Sequence, residues 1–242
     1  MSKITLFIYG LFAYVVALIG QVGFILYLGE FEFMPRTIYS PQSQSLVDAL
    51  LINILLVLLF GLQHSLMARG WFKEWITKFI PSVIERSTYV LFSGLVFIVI
   101  VFYWQPIDGT VWQVENELWK SILTIGFFFG WSFSVVVTFV INHFELFGLQ
   151  QVYLHLKEKS TAEIEFKEKL FYKFIRHPIQ LGVLMGLWIT PTMSYGHLLL
   201  SLLFSIYIFI GLYYEEKDLI AELGEVYVEY KKRVGLLVPR LN

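Results

Sequence analysis

The chain has 242 residues, of which 57% are hydrophobic and 15% are charged, and its mean hydropathy is +0.67. About a quarter of the residues in a soluble domain are charged, so this composition indicates one domain embedded in a lipid bilayer. The net charge of -1 provides no basic surface for nucleic acid, and the absence of cysteine excludes disulfides, thiolate nucleophiles and cysteine-ligated zinc.

Apolar stretches of about 20 residues predict four membrane-spanning helices. They lie over residues 4–28, 47–66, 88–104 and 118–141. The first lacks a small-residue cleavage site and is therefore expected to be a retained span, not a signal peptide. A fifth apolar region, 179–214, is too long for one span and contains Pro191, which removes a backbone donor. This region is predicted to form two helices joined by a short turn.

Three polar segments between and after the spans have the pattern of amphipathic helices. Residues 67–86 interleave Trp with Lys and Arg, as at a membrane surface. Residues 157–174 and 215–233 alternate charged and apolar side chains, and Gly224 interrupts the second segment. The predicted fold is all-α: a polytopic helical bundle of four spans, a Pro-broken C-terminal hairpin and cytosolic amphipathic helices.

The distribution of Lys and Arg predicts the orientation in the membrane. The 67–87 loop, the 142–178 segment and the C-terminal tail are rich in Lys and Arg, whereas the intervening loops have one such residue or none. Because cytoplasmic loops carry the excess of these residues, both termini are expected in the cytoplasm. The expected location is the inner membrane of a bacterium.

This topology gathers titratable side chains at the cytosolic ends of different spans. The group comprises His64, Asn142, His143, Glu145, His177, Glu215 and Glu216. Charged groups at the ends of lipid-buried helices are costly unless they have a partner, so their convergence predicts a site facing the cytoplasm.

Pro178 favours a helix that begins directly after His177. The free N–H groups and the positive dipole end of a helix N-terminus suit a ligand carboxylate. Glu215 and Glu216 end the returning arm of the same hairpin and suit a ligand ammonium. An amino acid or S-adenosylmethionine has both groups. The alternative is that Arg176 pairs with Glu215 or Glu216 and only closes the hairpin.

The C-terminal motifs carry a family resemblance. Arg176-His177-Pro178 with Gly182, then Glu215-Glu216 with Leu219, and Gly224 with Tyr227 and Tyr230 resemble the signature of isoprenylcysteine carboxyl methyltransferases and phospholipid N-methyltransferases. In that superfamily the region binds S-adenosylmethionine. The resemblance covers residues 165–239 and departs at Gln180, where the family usually has Tyr.

The upstream motifs resemble the membrane methanethiol S-methyltransferases, and nurim-like proteins share part of the pattern. The matching segments are 63–69, 85–90 and 142–150. The resemblance implies methyl transfer from S-adenosylmethionine to methanethiol, giving dimethyl sulfide. It also implies one methyltransferase domain over 1–242, with a four-span part over 1–141 and a cofactor-binding part over 142–242.

By this resemblance, His177 and Glu216 hold the methionine part of the cofactor, while Arg176 and Glu215 orient or neutralise it. Gly182 and Gly186 lie on one helix face, where either the cofactor or another helix can approach the backbone closely. Tyr227 and Tyr230 either line the adenosine pocket or pack the tail helix.

Methyl transfer to a thiol needs the sulfur as thiolate, so a base or a cationic environment is expected. His64 and His143 are the candidate bases, with His64 preferred. Glu145 is the candidate for orienting a histidine, and Arg86 is the candidate for stabilising a thiolate. The catalytic assignment therefore comprises His64, His143, Glu145 and Arg86.

Other functions remain open from the sequence. A related enzyme methylating an isoprenylcysteine carboxylate or a lipid amine would need a groove open to lipid. A nurim-like protein would be non-enzymatic, and a bis-His haem or quinone protein would use His64 and His143. No metal site is predicted, because the histidines lack ligand spacing on one helix.

Overall fold

The computed structural model describes residues 2–31, 33–159 and 168–240. Its helices are α1 (Lys3–Leu28), α2 (Leu46–Ala68), α3 (Gly70–Ile76), α4 (Glu85–Tyr103), α5 (Glu117–Ile141), α6 (His143–Leu146), α7 (Leu149–Leu156), α8 (Pro178–Trp188), α9 (Tyr195–Leu223) and α10 (Glu225–Arg233). Two short strands, β1 (Thr110–Gln113) and β2 (Thr192–Ser194), pair with each other. Single 3-10 turns occupy Ser82–Ile84 and Leu170–Lys173.

Five helical segments of the described chain are long and apolar enough to cross a membrane. They are Lys3–Leu28, Leu46–Ala68, Ser82–Tyr103, Glu117–Ile141 and Tyr195–Leu223. Many of their large apolar side chains are exposed, as expected for surfaces that face lipid. The prediction of a helical integral membrane protein with four spans and a broken C-terminal hairpin is confirmed.

The chain divides into two compact units. The first contains the described residues of Met1–Gly109, Asn142–Ile164 and Ser194–His197, and the second contains those of Thr110–Ile141, Glu165–Met193 and Leu198–Asn242. The second unit therefore takes α5 from the middle of the sequence and combines it with C-terminal helices. The assignment of the whole chain to one methyltransferase domain stays a prediction.

Within the first unit, α1 and α4 pack through small residues. A Cβ atom added at Gly94 would lie 2.5 Å from Ala17 Cα, and one added at Gly20 would meet the backbone of Gly94. Small residues let membrane helices approach closely enough for backbone contact. On α2, the buried Asn53 side chain donates to the Gln105 carbonyl at 2.8 Å and accepts from the Gln105 N–H at 2.7 Å. This exchange satisfies a polar group that would be costly in lipid.

Within the second unit, α8 lies against α5 and α9. A Cβ atom at Gly182 would come within 2.7 Å of both Gly130 O and Ser134 N, so α5 approaches the backbone of α8. Trp188 Nε1 donates to Ser205 Oγ at 2.9 Å and thereby links α8 to α9. Pro191 lies in the turn between these two helices, as predicted.

Two of the three amphipathic predictions need revision. Only Gly70–Ile76 of the 67–86 segment is α-helical, and Pro81 precedes a 3-10 turn. In the 157–174 segment, residues 160–167 lie outside the described residues, α7 ends at Leu156, and Leu170 has a φ of 42°. The described ends of this segment, 157–159 and 168–174, are not α-helical, and the prediction for 160–167 lies outside the described residues. The third prediction is confirmed, because Gly224, at a φ of 60°, separates α9 from α10.

The sequence did not predict the β1–β2 pair. Residues in and next to β1 also bind the turn between α8 and α9. Val114 N–H donates to the Pro191 carbonyl at 2.9 Å, and Trp112 Nε1 donates to the Thr190 carbonyl at 3.1 Å. These bonds satisfy two carbonyls of the turn that follows α8.

Candidate functional site

The second unit holds a buried ionic cluster where the C-terminal tail returns beside the start of α8. Arg176 N–H donates to the Gly235 carbonyl at 2.9 Å, and His177 N–H donates to the Leu236 carbonyl at 3.1 Å. Ile175 and Gly235 form a parallel bridge. These backbone bonds fix Arg176 and His177 against the tail, and Pro178 is the first residue of α8, as predicted.

Glu216 on α9 is the centre of this cluster. Arg176 Nε donates to Glu216 Oε1 at 2.6 Å, and Lys231 Nζ lies 2.6 Å from Glu216 Oε2. His177 Nε2 lies 3.3 Å from Glu216 Oε1. Arg176, His177 and Glu216 are all buried. The carboxylate therefore has protein partners on both oxygens, and the pairing of Arg176 with Glu216 that the sequence left as an alternative is present.

Glu215 differs from its neighbour. Its side chain is 49% exposed, and its Oε2 lies 3.8 Å from His177 Nδ1. Burial lowers the pKa of His177, although the hydrogen bond with Glu216 opposes this shift. His177 is therefore mainly neutral at pH 7, and Glu215 is the more accessible carboxylate of the pair.

The start of α8 also has hydrogen-bonding capacity. Among the described residues, none caps its N-terminus with a side chain, and His177 occupies the capping position without a capping bond. The first N–H groups of an uncapped helix are available to an anionic group. An uncapped helix end and a half-exposed carboxylate thus adjoin the same histidine.

Tyr227 and Tyr230 lie on α10 and are buried. They pack with Val234 and with Leu219, Ile220 and Leu223. The Tyr230 hydroxyl donates to the Tyr172 carbonyl at 2.6 Å, and burial raises the pKa of Tyr230 to about 12. Of the two roles left open by the sequence, the structure shows packing of the tail helix against α9. A role beside an adenosine stays a prediction.

Gly182 likewise had two alternatives. A Cβ atom added at Gly182 would meet the backbone of α5, and one added at Gly186 would meet the Trp131 ring. The structure therefore shows close helix packing at this glycine pair, and a contact with a cofactor stays a prediction.

The first unit contains His64, whose ring is held on three sides. The Tyr89 hydroxyl lies 2.7 Å from His64 Nε2, Ser93 Oγ lies 3.3 Å from His64 Nδ1, and Phe60 stacks on the ring. Ser93 Oγ donates to the Tyr89 carbonyl at 3.0 Å. Since that hydroxyl hydrogen is used, we assign Nδ1 as the donor to Ser93, which leaves Nε2 as the proton acceptor.

His143 has a similar environment in the same unit. The Tyr14 hydroxyl lies 2.8 Å from His143 Nε2, and Phe147 stacks on the ring with centroids 4.6 Å apart. Its side chain is buried, and burial lowers its pKa. Both candidate bases therefore have a tyrosine hydroxyl at Nε2 and an aromatic ring stacked on the imidazole.

The Glu145 carboxylate is hydrogen-bonded to Asn142. Its Oε2 accepts from Asn142 Nδ2 at 2.9 Å, and its N–H donates to Asn142 Oδ1 at 3.3 Å. This reciprocal bond caps the short helix α6. This cap uses Oε2 of the carboxylate, and the expectation that Glu145 orients one of the histidines stays a prediction.

Arg86 holds the 142–150 segment against α4. Its Nε donates to the Leu146 carbonyl at 2.8 Å, and its guanidinium lies 4.9 Å from the centre of the Tyr89 ring. Gly148, with a φ of 81°, packs its backbone on Ser87, where a Cβ atom would meet Ser87 N at 2.6 Å. Arg86 thus lies beside the tyrosine whose hydroxyl contacts His64.

Sequence reasoning missed Lys231, Tyr89 and Tyr14. Tyr89 and Tyr14 are ordinary aromatic residues within spans, and Lys231 belongs to a basic run at the end of α10. No local spacing distinguishes them. Within residues 2–31, 33–159 and 168–240, no group of three His, Asp or Glu side chains is arranged to hold a metal ion.

The fold and the site together define a helical integral membrane protein with a buried ionic cluster in one unit and two histidine–tyrosine pairs in the other. The chain is 42% identical over 239 residues to methanethiol S-methyltransferase of Crocosphaera subtropica, which covers 99% of this chain and 93% of the relative. It is 47% identical over 209 residues to the protein of that name from Pseudomonas deceptionensis, with 86% and 80% covered.

Nurim of Bos taurus is 32% identical over 187 residues, with 74% of this chain and 71% of nurim covered. The chain belongs to the methanethiol S-methyltransferase family and is also similar to nurim. No family model and no solved structure matches it.

Proposed function

We propose that this protein is a membrane methyltransferase that transfers the methyl group of S-adenosylmethionine to methanethiol, giving dimethyl sulfide and S-adenosylhomocysteine. The observation that carries the proposal is the identity of 42% to a protein named methanethiol S-methyltransferase, over 99% of this chain. The ionic cluster of the second unit supports it, because its chemistry suits a zwitterionic ligand.

The residues of the second unit fit the amino-acid part of such a donor. The uncapped N-terminus of α8 is proposed to bind its carboxylate through free backbone N–H groups, beside His177, whose ring Nε2–H donates to Glu216. The half-exposed Glu215 and the Oε2 face of Glu216 are proposed to bind its ammonium. Arg176 is proposed to hold Glu216 in place, since its Nε is bound to that carboxylate and its Nη1 donates to the Val234 carbonyl.

When bound, the donor supplies an electrophilic methyl group for direct displacement by sulfur. The protein's contribution to the other reactant is proposed to be removal of the thiol proton. His64 Nε2 accepts a hydrogen bond from the Tyr89 hydroxyl. In the proposed route the thiol gives its proton to the Tyr89 oxygen, and the hydroxyl proton of Tyr89 moves to His64 Nε2. The Arg86 cation over the Tyr89 ring favours negative charge on that hydroxyl. His143 with Tyr14 is the second candidate pair.

The ionic cluster is proposed to face the cytoplasm. Glu216 lies 21 residues after Tyr195, the first residue of α9. At 1.5 Å per residue this is about 31 Å, close to the thickness of the hydrocarbon core. The Lys and Arg residues of α10 gather at the Glu216 end, which is the end expected in the cytoplasm. An inner-membrane location in a bacterium is part of the proposal.

The proposal is tested with purified protein in lipid nanodiscs. Methanethiol and methyl-labelled S-adenosylmethionine are added, and labelled dimethyl sulfide is measured in the headspace. We expect label in the product with the wild type and little with His177→Ala, while Glu222→Gln, which alters an exposed carboxylate near the end of α9, serves as control. Absence of labelled product with folded wild-type protein would reject methanethiol as the substrate. An isoprenylcysteine analogue and phosphatidylethanolamine are tested in parallel.

The similarity to nurim favours a second candidate, a membrane protein without enzymatic activity. In this case the ionic cluster would only fasten the tail to the hairpin, because Glu216 already has protein partners on both oxygens. Binding of S-adenosylhomocysteine, measured by calorimetry on the same nanodiscs, separates the two candidates. A non-enzymatic protein would bind none.

A further inference from the structure

The two carboxylate oxygens of Glu216 have partners that differ in solvent exposure. Oε1 is bound by Arg176 and His177, whose side chains are 5% and 4% exposed. Oε2 is bound by Lys231, whose side chain is 41% exposed. Because an exposed ion pair is weak and a buried pair is costly to break, the Lys231 bond is the one that can exchange with another cation.

Exchange at Lys231 requires only a side-chain rotation. The Lys231 backbone carbonyl accepts from Arg176 Nη1 at 3.3 Å, and α10 is fastened by the buried Tyr227 and Tyr230. The ammonium of Lys231 lies on a flexible four-carbon stem and is readily hydrated. The helix can therefore remain in place while the ammonium moves from Glu216 into water.

We propose that Lys231 is a displaceable internal counter-ion that occupies the ammonium subsite of the ionic cluster, at Glu216 Oε2, until a ligand ammonium replaces it. The identity of the ligand as an adenosyl amino acid rests on the proposed function. The exchange conserves charge, since one ammonium leaves the carboxylate as another arrives. Lys231 thereby prevents an uncompensated carboxylate in the cluster before the ligand binds.

This arrangement has a consequence for ligand selection. A ligand with an ammonium group competes directly with Lys231, so its affinity is reduced by the cost of breaking the ion pair. A ligand without that group leaves Lys231 in place, and its affinity does not depend on it. Removal of the lysine side chain should therefore strengthen binding of the first kind of ligand and leave the second unchanged.

The test compares S-adenosylhomocysteine, which has the amino-acid group, with 5′-methylthioadenosine, which lacks it. Dissociation constants are measured by calorimetry on wild type, Lys231→Met and Lys232→Met in nanodiscs. Lys232 is the matched control, because it is adjacent, exposed and paired with Glu229 at 2.5 Å instead of Glu216. We expect Lys231→Met to bind S-adenosylhomocysteine about fivefold more tightly, the scale of an exposed ion pair. Neither variant should alter the affinity for 5′-methylthioadenosine.

Weaker binding of S-adenosylhomocysteine by Lys231→Met would overturn the proposal, because it would make Lys231 a ligand of the carboxylate. Equal affinity in wild type and variant would also overturn it. If wild-type protein binds neither compound, the proposed function fails, and this result is distinct from a failure of the exchange alone.

A second measurement uses wild-type protein and does not depend on the stability of a variant. An acylating reagent is applied with and without S-adenosylhomocysteine, and modification of Lys231 is quantified by mass spectrometry relative to Lys232. Displacement predicts that the ligand increases modification of Lys231. Unchanged or reduced modification in protein saturated with ligand would contradict the displacement.

Discussion

In the first unit His64 and His143 lie against tyrosine hydroxyls and aromatic rings, whereas in the second unit His177 lies between two carboxylates. In the first environment the direct contacts of the two rings are hydroxyls and aromatic rings, which suits a neutral imidazole that accepts a proton. The second contains Arg176, Glu216 and Lys231 within ion-pair distance. It suits recognition of a ligand with fixed charges of both signs.

This difference shows that the presence of a histidine does not by itself reveal its chemical role in a membrane protein. What distinguishes the roles is the group at each ring nitrogen. A tyrosine hydroxyl leaves the imidazole basic and able to relay a proton, whereas a carboxylate fixes the ring and couples it to charge. Variants that exchange or remove these partners should therefore affect different properties in the two units.

The largest effect is expected in the second unit, from Arg176→Met. This change leaves the buried Glu216 carboxylate without its buried guanidinium partner, and breaking such a pair costs about 3–5 kcal/mol. The free energy of unfolding in detergent should fall by that amount. Arg233→Met is the control, because the Arg233 side chain is 60% exposed and its pair with Glu168 is at the surface. That control should change stability by about 1 kcal/mol or less. Similar losses in both variants would show that the cluster is not stabilised by burial.

A smaller effect is expected in the first unit, on rate and not on stability. If His64 accepts the proton, His64→Ala should reduce kcat by about a hundredfold, the lower range for a general base. Tyr89→Phe removes the hydroxyl at Nε2 and should reduce kcat by less, while changing the pH–rate profile. Tyr14→Phe is the matched change at His143. A pH–rate profile unchanged in His64→Ala but changed in Tyr14→Phe would assign the base to His143.

Helix packing in the second unit provides the next prediction. In Gly182→Ala the new Cβ atom would meet the backbone of α5 at 2.7 Å, so overpacking should cost about 1–3 kcal/mol of unfolding free energy. Gly211→Ala is the matched control, since a Cβ atom there meets nothing within 4 Å. The control should be neutral or stabilising by up to about 1 kcal/mol, as alanine favours helix. A stable Gly182→Ala protein would indicate that α5 and α8 do not approach so closely.

The spans and the broken hairpin could be predicted from sequence because hydropathy is summed over about 20 residues, and Pro191 interrupts the pattern. The gathering of Arg176, His177 and Glu216 followed from topology and from the family resemblance. Lys231 could not be predicted, because it is 55 residues from Arg176 and nothing local separates it from Lys232. The bond between Glu145 and Asn142, by contrast, is local in sequence and was overlooked, and a role of Glu145 in orienting a histidine stays a prediction.

The smallest effect concerns acid sensitivity and compares His143 with His177. Burial lowers the pKa of both groups below the value of 6.5 that applies to the unfolded chain. On acidification the unfolded state therefore binds protons first, so stability is full above pH 6.5 and falls as the pH decreases toward the folded-state pKa. His143→Phe should reduce this loss, because it removes the group and keeps an aromatic ring beside Phe147. The measurement is the unfolding midpoint between pH 7.5 and 5, with His155→Gln as an exposed control.

At His177 the hydrogen bond to Glu216 opposes the lowering of the pKa by burial. The contribution of His177 to the loss of stability with falling pH should therefore be smaller than burial alone would give. An unchanged slope in His143→Phe would mean that His143 is protonated without cost in the folded protein, contrary to its burial against Tyr14.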